Sequence, residues 1–268
     1  MRELLDAFWD ELMRVICSDL RVVFRSADGD RRVLDGVDFA TEHGEFVSIA
    51  GVSGCGKTTL LRALAGLILP ASGALELESH SADDNSDRLL VFQESSMFPW
   101  MRVLENAAFG LAMRGVPREE REAKAIRLLD QFGLHGRERS WPSELSAGMR
   151  QRVALIRAFL CKPALLLMDE PFASLDAQTR LELQQVLLEM WQPTHMSVIF
   201  VTHDVDEAIL LSNRVMVMAP AGGRIHLELN VPLSQPRDAS DLTSPEFVAI
   251  KRAVLQRLTP MRERAMHA

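Results

Sequence analysis

The loop GVSGCGKTT at residues 51–59 restricts the fold more than any other stretch of this chain, because it matches the pattern G-x-x-x-x-G-K-[ST]. The apolar segment EFVSIA precedes the loop, and KTTLLRALAGL, whose apolar residues have helical spacing, follows it. A strand, a glycine-rich turn and a helix in this order direct several backbone N–H groups at phosphate oxygens. The sequence therefore predicts a nucleoside-triphosphate site on an α/β sheet.

Each residue type in this phosphate loop has a physical reason. Gly51, Gly54 and Gly56 allow backbone conformations that a Cβ would hinder. Lys57 supplies a positive charge for the β- and γ-phosphates, and the hydroxyl of Thr58 is placed to ligate Mg²⁺. We expect the whole loop to bind the nucleotide: Gly51, Val52, Ser53, Gly54, Cys55, Gly56, Lys57, Thr58 and Thr59.

The three cysteines, Cys17, Cys55 and Cys161, are far apart and odd in number, which indicates a reducing, cytosolic compartment. Cys55 lies in the phosphate loop at the N-terminus of the expected helix, a position that lowers the pKa of a thiol. Two interpretations remain open for Cys55. It is either a small residue that fills space, or a reactive thiol that a maleimide modifies and that ATP protects.

Composition limits the class of protein. A chain of 268 residues is long enough for one large domain, or for a domain with a subdomain. The net charge of −7 argues against a nucleic-acid-binding protein, which would carry a basic face. The apolar runs have the length of core strands, well short of the roughly 20 residues of a membrane-spanning helix. We therefore expect a soluble chain, and any membrane-spanning part would belong to another subunit.

From Leu20 onward predicted strands and helices alternate, which indicates a mostly parallel α/β sheet. Residues 101–160 are mostly helical and interrupt this alternation, as an inserted subdomain would. Residues 1–17 predict an amphipathic helix, which either packs on its own domain or docks on a partner protein. The apolar positions of that helix are Leu5, Phe8, Trp9, Leu12, Met13 and Ile16.

The stretch ALLLMDEP places Asp169 and Glu170 at the end of an apolar strand. Asp169 can hold Mg²⁺ through water, and Glu170 can orient and deprotonate a water beside the γ-phosphate. A kinase would avoid such a water-activating base next to the phosphate that it transfers. The pair therefore favours hydrolysis of the nucleotide.

Two further polar residues follow predicted strands. His203 closes the strand in VIFVTHD, and a parallel sheet brings it to the same carboxyl edge as Asp169 and the phosphate loop. We expect His203 to contact the γ-phosphate. Gln93 ends the strand in RLLVFQ at the same edge, where it can contact Mg²⁺ or the attacking water.

Five motifs, GVSGCGKTT, VFQESSMFPW, LSAGMRQR, LLLMDEPFASLD and VIFVTHDVDEA, occur in the order of the ATPase subunit of an ABC transporter, which the chain resembles over residues 19–220. They correspond to the Walker A loop, the Q-loop, the signature motif, the Walker B motif with the D-loop, and the H-loop. The resemblance implies a P-loop NTPase fold: a RecA-like α/β core with an antiparallel β edge and an inserted α-helical subdomain at about 95–158. Residues 1–18 are then an N-terminal amphipathic helix, and residues 221–268 a C-terminal extension.

In this family two subunits face each other head to tail, and each ATP lies between the Walker A loop of one and the signature motif of the other. The resemblance implies that Ser146 and Gly148 bind the γ-phosphate held by Lys57 of a second copy, with Asp176 at the same interface. It also implies an aromatic residue that stacks on adenine. Because the chain has no Tyr, Phe24 is the candidate, with an ordinary core or edge position as the alternative.

The signature motif of the family more usually reads LSGGQ, whereas this chain has Ala147 and Met149 in the corresponding positions. A Met at the last position occurs in some importer subgroups. If residue 147 requires a positive φ, its Cβ costs on the order of 1 kcal/mol. On that condition we expect an active ATPase that is slower than one with glycine there.

The stretch SSMFPWMRVLENAAFGL, the Met after the signature glycine and the tail from residue 222 are similar to the importers of nitrate, taurine and aliphatic sulfonates. This resemblance implies ATP and Mg²⁺ as cofactors and a peripheral position on the cytoplasmic face of the inner membrane. It implies a transmembrane permease and, indirectly, a periplasmic or lipoprotein solute-binding protein as partners, and no nucleic acid.

The resemblance also implies a contact with the permease subunit at Phe98, Pro99 and Trp100. A core contact is the alternative for Trp100. The competing interpretation is the ATPase subunit of an exporter or another non-import ABC ATPase.

Overall fold

The structure, a computed structural model, describes residues 12–26, 29–79, 88–93, 96–194, 196–220 and 222–266. Its strands are β1 Met13–Ser26, β2 Gly29–Ala40, β3 Phe46–Ala50, β4 Ser72–Ser79, β5 Arg88–Val91, β6 Leu165–Asp169, β7 Ser197–Thr202, β8 Arg214–Met218 and β9 Ile225–Asn230. Its α-helices are α1 Lys57–Leu64, α2 Val103–Met113, α3 Arg118–Gln131, α4 Ala147–Leu160, α5 Ala177–Trp191, α6 Val205–Leu211 and α7 Pro245–Met266. Within these described residues, no helix is both long and apolar enough to cross a membrane.

Six strands form the central sheet, in the order β5-β6-β7-β3-β8-β9. Strands β6, β7, β3 and β8 are parallel, and β9 is antiparallel to β8. Every residue of β3, β6 and β7 is buried, which explains why their sequences are nearly continuous apolar runs. The expected α/β sheet is therefore confirmed.

The register of the parallel strands brings their carboxyl ends together. Ala50 at the end of β3 pairs with Thr202 at the end of β7, and Asp169 at the end of β6 pairs with Val201. The loops that follow β3, β6 and β7 consequently leave the sheet at one edge. In open α/β sheets this edge is where ligands bind.

A second, antiparallel sheet has the order β2-β1-β4 and forms the expected β edge. Gly73 of β4 lies so close to β1 that a Cβ would overlap the backbone of Asp19, and its φ is +87°. Only glycine meets both conditions. This residue therefore allows β4 to pair with β1.

The N-terminal helix expected over residues 1–17 is wrong for its last part, because β1 begins at Met13. Met13, Val15 and Cys17 are buried alternately along the strand and pair with β4. That period of two belongs to a strand. Pairing on both sides, with β2 and β4, satisfies the backbone and overrides the helical spacing. Residues 1–11 lie outside the described part of the chain, and the helix there stays a prediction.

A mostly helical unit comprises Val91–Pro163 and Pro171–Val186, and the remaining described residues form the other unit. In the helical unit α2, α3 and α4 pack against one another. Gly110 permits the approach of α2, because a Cβ there would overlap the sulfur of Cys161. The expected subdomain at 95–158 falls within the first segment of this unit, and its boundaries stay a prediction.

A buried arginine holds the segment that follows β9 against α6. Arg237 is 1% exposed. Its Nη1 donates hydrogen bonds to the carbonyls of Ile209 at 2.6 Å and Ser212 at 2.7 Å, and its Nη2 donates to that of Leu233 at 2.8 Å. Burial lowers the pKa of Arg237 to about 10. The guanidinium therefore caps the C-terminal end of α6, where helical carbonyls lack partners.

We predict that Arg237→Ala lowers the free energy of unfolding by about 2–4 kcal/mol, because several buried carbonyls lose their donor. Urea unfolding followed by circular dichroism measures this change. Arg252→Ala on the exposed side of α7 is the matched control and should change stability by less than about 0.5 kcal/mol. Equal effects of the two substitutions would contradict the capping role.

Candidate functional site

The phosphate loop follows β3 and ends at Lys57, where α1 begins. Gly54 and Gly56 have φ values of +79° and +111°, in the region that favours glycine. A Cβ on Gly56 would also lie 2.9 Å from Cδ2 of Leu34. The shape of the loop therefore requires both glycines. The first N–H groups of α1, like those of any helix, have no helical acceptor.

The ammonium group of Lys57 lies inside this loop. Its side chain is only 5% exposed, and Nζ donates hydrogen bonds to the carbonyls of Gly51 at 2.9 Å and Val52 at 3.2 Å. Nζ is also 3.5 Å from Oε1 of Glu170. A single buried cation thus joins the phosphate loop to the residue that follows β6.

Thr58 and Asp169 bring a hydroxyl and a carboxylate together beside the phosphate loop. The Thr58 hydroxyl donates to Oδ1 of Asp169 at 3.0 Å, and Asp169 is 7% exposed. Burial raises the pKa of Asp169, and the hydrogen bond from Thr58 opposes that shift. A hydroxyl and a carboxylate at this distance form the kind of oxygen pair that a hard divalent cation prefers.

Glu170 has an uncommon backbone conformation that turns its side chain out of the strand. Its φ is +46°, and its N–H donates to the carbonyl of Val201 at 2.9 Å. Oε2 of Glu170 is 2.7 Å from Nδ1 of His203, which follows β7. The sequence placed Asp169, Glu170 and His203 at one edge of the sheet, and the structure brings them together there with the phosphate loop.

The helical unit carries the residues expected to contact a second copy. Ser146 is the N-cap residue of α4, and its Oγ accepts a hydrogen bond from the N–H of Met149 at 3.3 Å. Gly148 is buried, whereas Ser146 and Asp176 are exposed. Asp176 precedes α5 and accepts hydrogen bonds from the N–H and the hydroxyl of Thr179, at 3.0 and 2.7 Å. These hydrogen bonds lower the pKa of Asp176.

Comparison with protein families gives a match to the model described as ABC transporter, over residues 34–173. The chain belongs to the ABC transporter family. Among its relatives, the taurine import ATP-binding protein TauB of Roseobacter denitrificans is 40% identical over 255 residues, which cover 93% of this chain and 95% of that protein. The nitrate import ATP-binding protein NrtD of a Synechocystis species is 42% identical over 222 residues, which cover 82% and 84%.

A solved structure gives the same family by its fold. It is described as the dimeric structure of a post-hydrolysis state of the ATP-binding cassette MJ0796 bound to ADP and Pi. It matches with a TM-score of 0.70 and 27% identity, and it covers 82% of this chain and 100% of that one. The P-loop NTPase fold is therefore confirmed, and the chain is an ABC ATPase that couples ATP hydrolysis to transport.

Two expected site residues of this ATPase lie on the surface. Phe24 is 43% exposed in β1, opposite Arg31 of β2. Strand β5 ends at Val91, so Gln93 lies two residues beyond the strand, where it is exposed. Contacts of Phe24 with adenine, and of Gln93 with Mg²⁺ or water, stay predictions.

The condition for strain at Ala147 is not met. Ala147 is the first residue of α4, and the described non-glycine residues with positive φ are Asp19, Lys162 and Glu170. Alanine is more favourable than glycine in a helix. The structure therefore removes the reason to expect slow turnover from this substitution in the signature motif.

The pKa expected for Cys55 is also wrong in direction. The Cys55 thiol is buried, and burial raises its pKa above the ordinary value, while the charge of Lys57 acts in the opposite sense. The sulfur fills the inside of the loop, since a Cβ on Gly51 would lie 2.9 Å from it. Burial outweighs the helix N-terminus, so the space-filling interpretation is the one that the structure supports.

Thr179, a residue that contacts the signature motif, was not expected from the sequence. It stands three positions after Asp176, the spacing at which an aspartate that caps a helix accepts from a backbone N–H. That spacing was visible in the sequence. The approach of Thr179 to Gly148 was not, because it depends on how α4 and α5 pack.

We predict that Ala147→Gly leaves the turnover number for ATP unchanged and lowers the free energy of unfolding by about 0.5–1 kcal/mol, because glycine is unfavourable in a helix. Steady-state ATPase assays and urea unfolding measure the two quantities. A variant with faster turnover would show that residue 147 is strained during catalysis.

We predict that the Cys55 thiol of the native chain reacts with a maleimide at least about tenfold more slowly than the same thiol in concentrated guanidinium, because it is buried and protonated. Peptide mass spectrometry of the adduct measures both rates. ATP should add little protection to a thiol that is already protected. Fast modification of the native chain would contradict the burial of this sulfur.

Proposed function

We propose that this ABC ATPase powers an importer for a small solute that carries an oxyanion group, such as a sulfonate or nitrate. The observation that carries the hydrolytic part is the placement of Glu170, whose two carboxylate oxygens face Lys57 and His203. The import direction and the solute class are supported by the names of two relatives, a taurine and a nitrate import ATP-binding protein.

ATP binds with its triphosphate along the phosphate loop, where Lys57 pairs with the β- and γ-phosphates. Thr58 and Asp169 fit a magnesium ion, since they offer a hydroxyl and a carboxylate oxygen at one partly buried position. Burial raises the pKa of Asp169, and a cation bound there would oppose this rise because it favours the charged carboxylate. When bound, the ion neutralises charge on the β- and γ-phosphates.

Glu170 is the general base of the proposed reaction. Its carboxylate accepts a proton from the water that attacks the γ-phosphate. The hydrogen bond between His203 Nδ1 and Glu170 Oε2 fixes the direction of this carboxylate, with Nδ1–H as the donor. His203 therefore orients the base, and we expect its exposed ring to contact the γ-phosphate as well.

Two copies complete each ATP site in this proposal, and the dimeric cassette MJ0796 supports it. Ser146 and Gly148 lie at the N-terminus of α4, where free N–H groups attract a phosphate. In a head-to-tail pair they contact the γ-phosphate that Lys57 of the partner subunit binds. Asp176 lies at the same interface, beside the phosphate loop of the partner.

Residues 98–100 form the proposed docking patch for a transmembrane permease. Trp100 is 69% exposed, so the core contact left open for it is wrong. Phe98 packs on Phe109 with ring centroids 4.6 Å apart, and Asn106 hydrogen-bonds both the N–H and the carbonyl of Phe98. The patch is therefore fixed in place while its tryptophan stays accessible. We place the protein on the cytoplasmic face of the membrane, and a periplasmic or lipoprotein binding protein delivers solute to the permease.

Glu170→Gln tests the proposed function, because it removes the base and keeps the size of the side chain. We predict that kcat falls at least about a hundredfold. The variant should still bind ATP and should accumulate as a dimer with one nucleotide per subunit. ATPase assays, and gel filtration with light scattering in the presence of ATP and Mg²⁺, measure these outcomes.

The matched control is Glu76→Gln on the exposed face of β4, which should hydrolyse ATP at the rate of the unaltered chain. An unchanged kcat in the Glu170→Gln variant would contradict the assignment of the base. An ATP-loaded variant that stays strictly monomeric would contradict the shared site. Co-purification with a permease and a solute-binding protein tests the import direction.

A further inference from the structure

Gly148 of the signature motif and Asp176 of the D-loop both approach one side chain, that of Thr179 in the first turn of α5. A Cβ on Gly148 would lie 2.6 Å from Cγ2 of Thr179, so the methyl group lies directly against the start of α4. The hydroxyl of the same residue donates to Oδ2 of Asp176 at 2.7 Å, and its N–H donates to Oδ1 at 3.0 Å. The two branches of one β-branched side chain therefore face two different motifs.

The chemistry of threonine makes this arrangement specific. A β-branched residue is stiff at χ1, so the direction of the hydroxyl determines the direction of the methyl group. Once Oγ1 of Thr179 binds Asp176, Cγ2 is held against Gly148. Serine lacks the methyl group and valine lacks the hydroxyl, and neither can make both contacts.

Two exposed residues adjoin the contacts of Thr179. Ser146 and Asp176 are both exposed, whereas Gly148, two residues after Ser146, is buried. The hydrogen bonds from Thr179 lower the pKa of Asp176. The motif that contains Ser146 and the carboxylate of Asp176 are thus both in contact with one side chain of the helical unit.

We propose that Thr179 is a positioning residue that locks the signature turn to Asp176, so that Ser146, Gly148 and Asp176 meet the nucleotide site of the partner subunit together. This inference rests on the proposed head-to-tail dimer. Thr179 itself touches no nucleotide in this arrangement. Its effect should appear in dimerisation and turnover, and should be absent from the binding of ATP to a single subunit.

The test introduces a steric clash between residue 148 and Thr179 in the full-length chain, and then removes it with a second substitution. Gly148→Ala places a methyl group against Cγ2 of Thr179, and we expect kcat to fall about tenfold. The double variant Gly148→Ala, Thr179→Ser removes Cγ2 and should recover to within about threefold of Thr179→Ser alone. Thr179→Val keeps the methyl group and removes the hydroxyl, and should lower kcat more than Thr179→Ser does. Gln178→Ala, on the exposed neighbour in α5, is the matched control and should have no effect.

Three readouts separate positioning from folding. Each variant is measured for kcat, for the affinity of the monomer for a fluorescent ATP analogue, and for ATP-driven dimerisation when combined with Glu170→Gln. We expect kcat and dimerisation to change together while the affinity of the monomer and the unfolding midpoint stay within about twofold and a few degrees of the parent. Loss of monomer affinity in step with kcat would overturn the inference.

The relief experiment also distinguishes a clash with Thr179 from a direct obstruction of the nucleotide. If the methyl group of Gly148→Ala obstructs ATP itself, the double variant is as impaired as the single one, and the role of Thr179 is overturned. A Thr179→Val variant with unaltered kcat overturns it as well. Absence of ATP-driven dimerisation in Glu170→Gln without further changes would instead overturn the proposed function, on which this inference depends.

Discussion

The alignment of three parallel strands is the constraint on which the site depends. Because Ala50 pairs with Thr202 and Asp169 with Val201, strands β3, β6 and β7 end at the same level of the sheet. The phosphate loop, the carboxylates of Asp169 and Glu170 and the histidine after β7 then meet at one edge of the sheet. A shift of one residue in this register would separate the groups, because it would turn alternate side chains to the other face.

Glu170, the residue after β6, has a strained backbone conformation. A non-glycine residue at φ +46° costs about 1–3 kcal/mol and persists only when its surroundings hold it. The N–H of Glu170 donates a hydrogen bond to the carbonyl of Val201. One carboxylate oxygen of Glu170 faces Lys57 and the other faces His203. Because of these contacts, the Glu170 side chain does not follow the alternating directions of the side chains in β6. It is directed towards Lys57 in the phosphate loop instead. The strain is therefore located at the proposed base.

The parts of the molecule that were readable from the sequence are those fixed by local pattern. The phosphate loop is a contiguous motif, and the common sheet edge of Glu170 and His203 follows from two strands that end in polar residues. The errors lie where packing decides. Strand β1 from Met13 is set by its two neighbours, and the pKa of Cys55 by burial that the helix N-terminus does not outweigh. The contact of Thr179 with Gly148 joins two helices that are distant in sequence, and no local pattern encodes it.

In the proposed mechanism, the triphosphate binds at the carboxyl edge of the sheet, and a second copy of the chain completes its binding site. The most direct measurement is a crystal or cryo-electron-microscopy structure of the Glu170→Gln variant with ATP and Mg²⁺. We predict two nucleotides in a head-to-tail pair, each within hydrogen-bond distance of Lys57 in one copy and Ser146 in the other. A nucleotide bound by the lysine alone, with the serine far from any triphosphate or packed against its own chain, would contradict it.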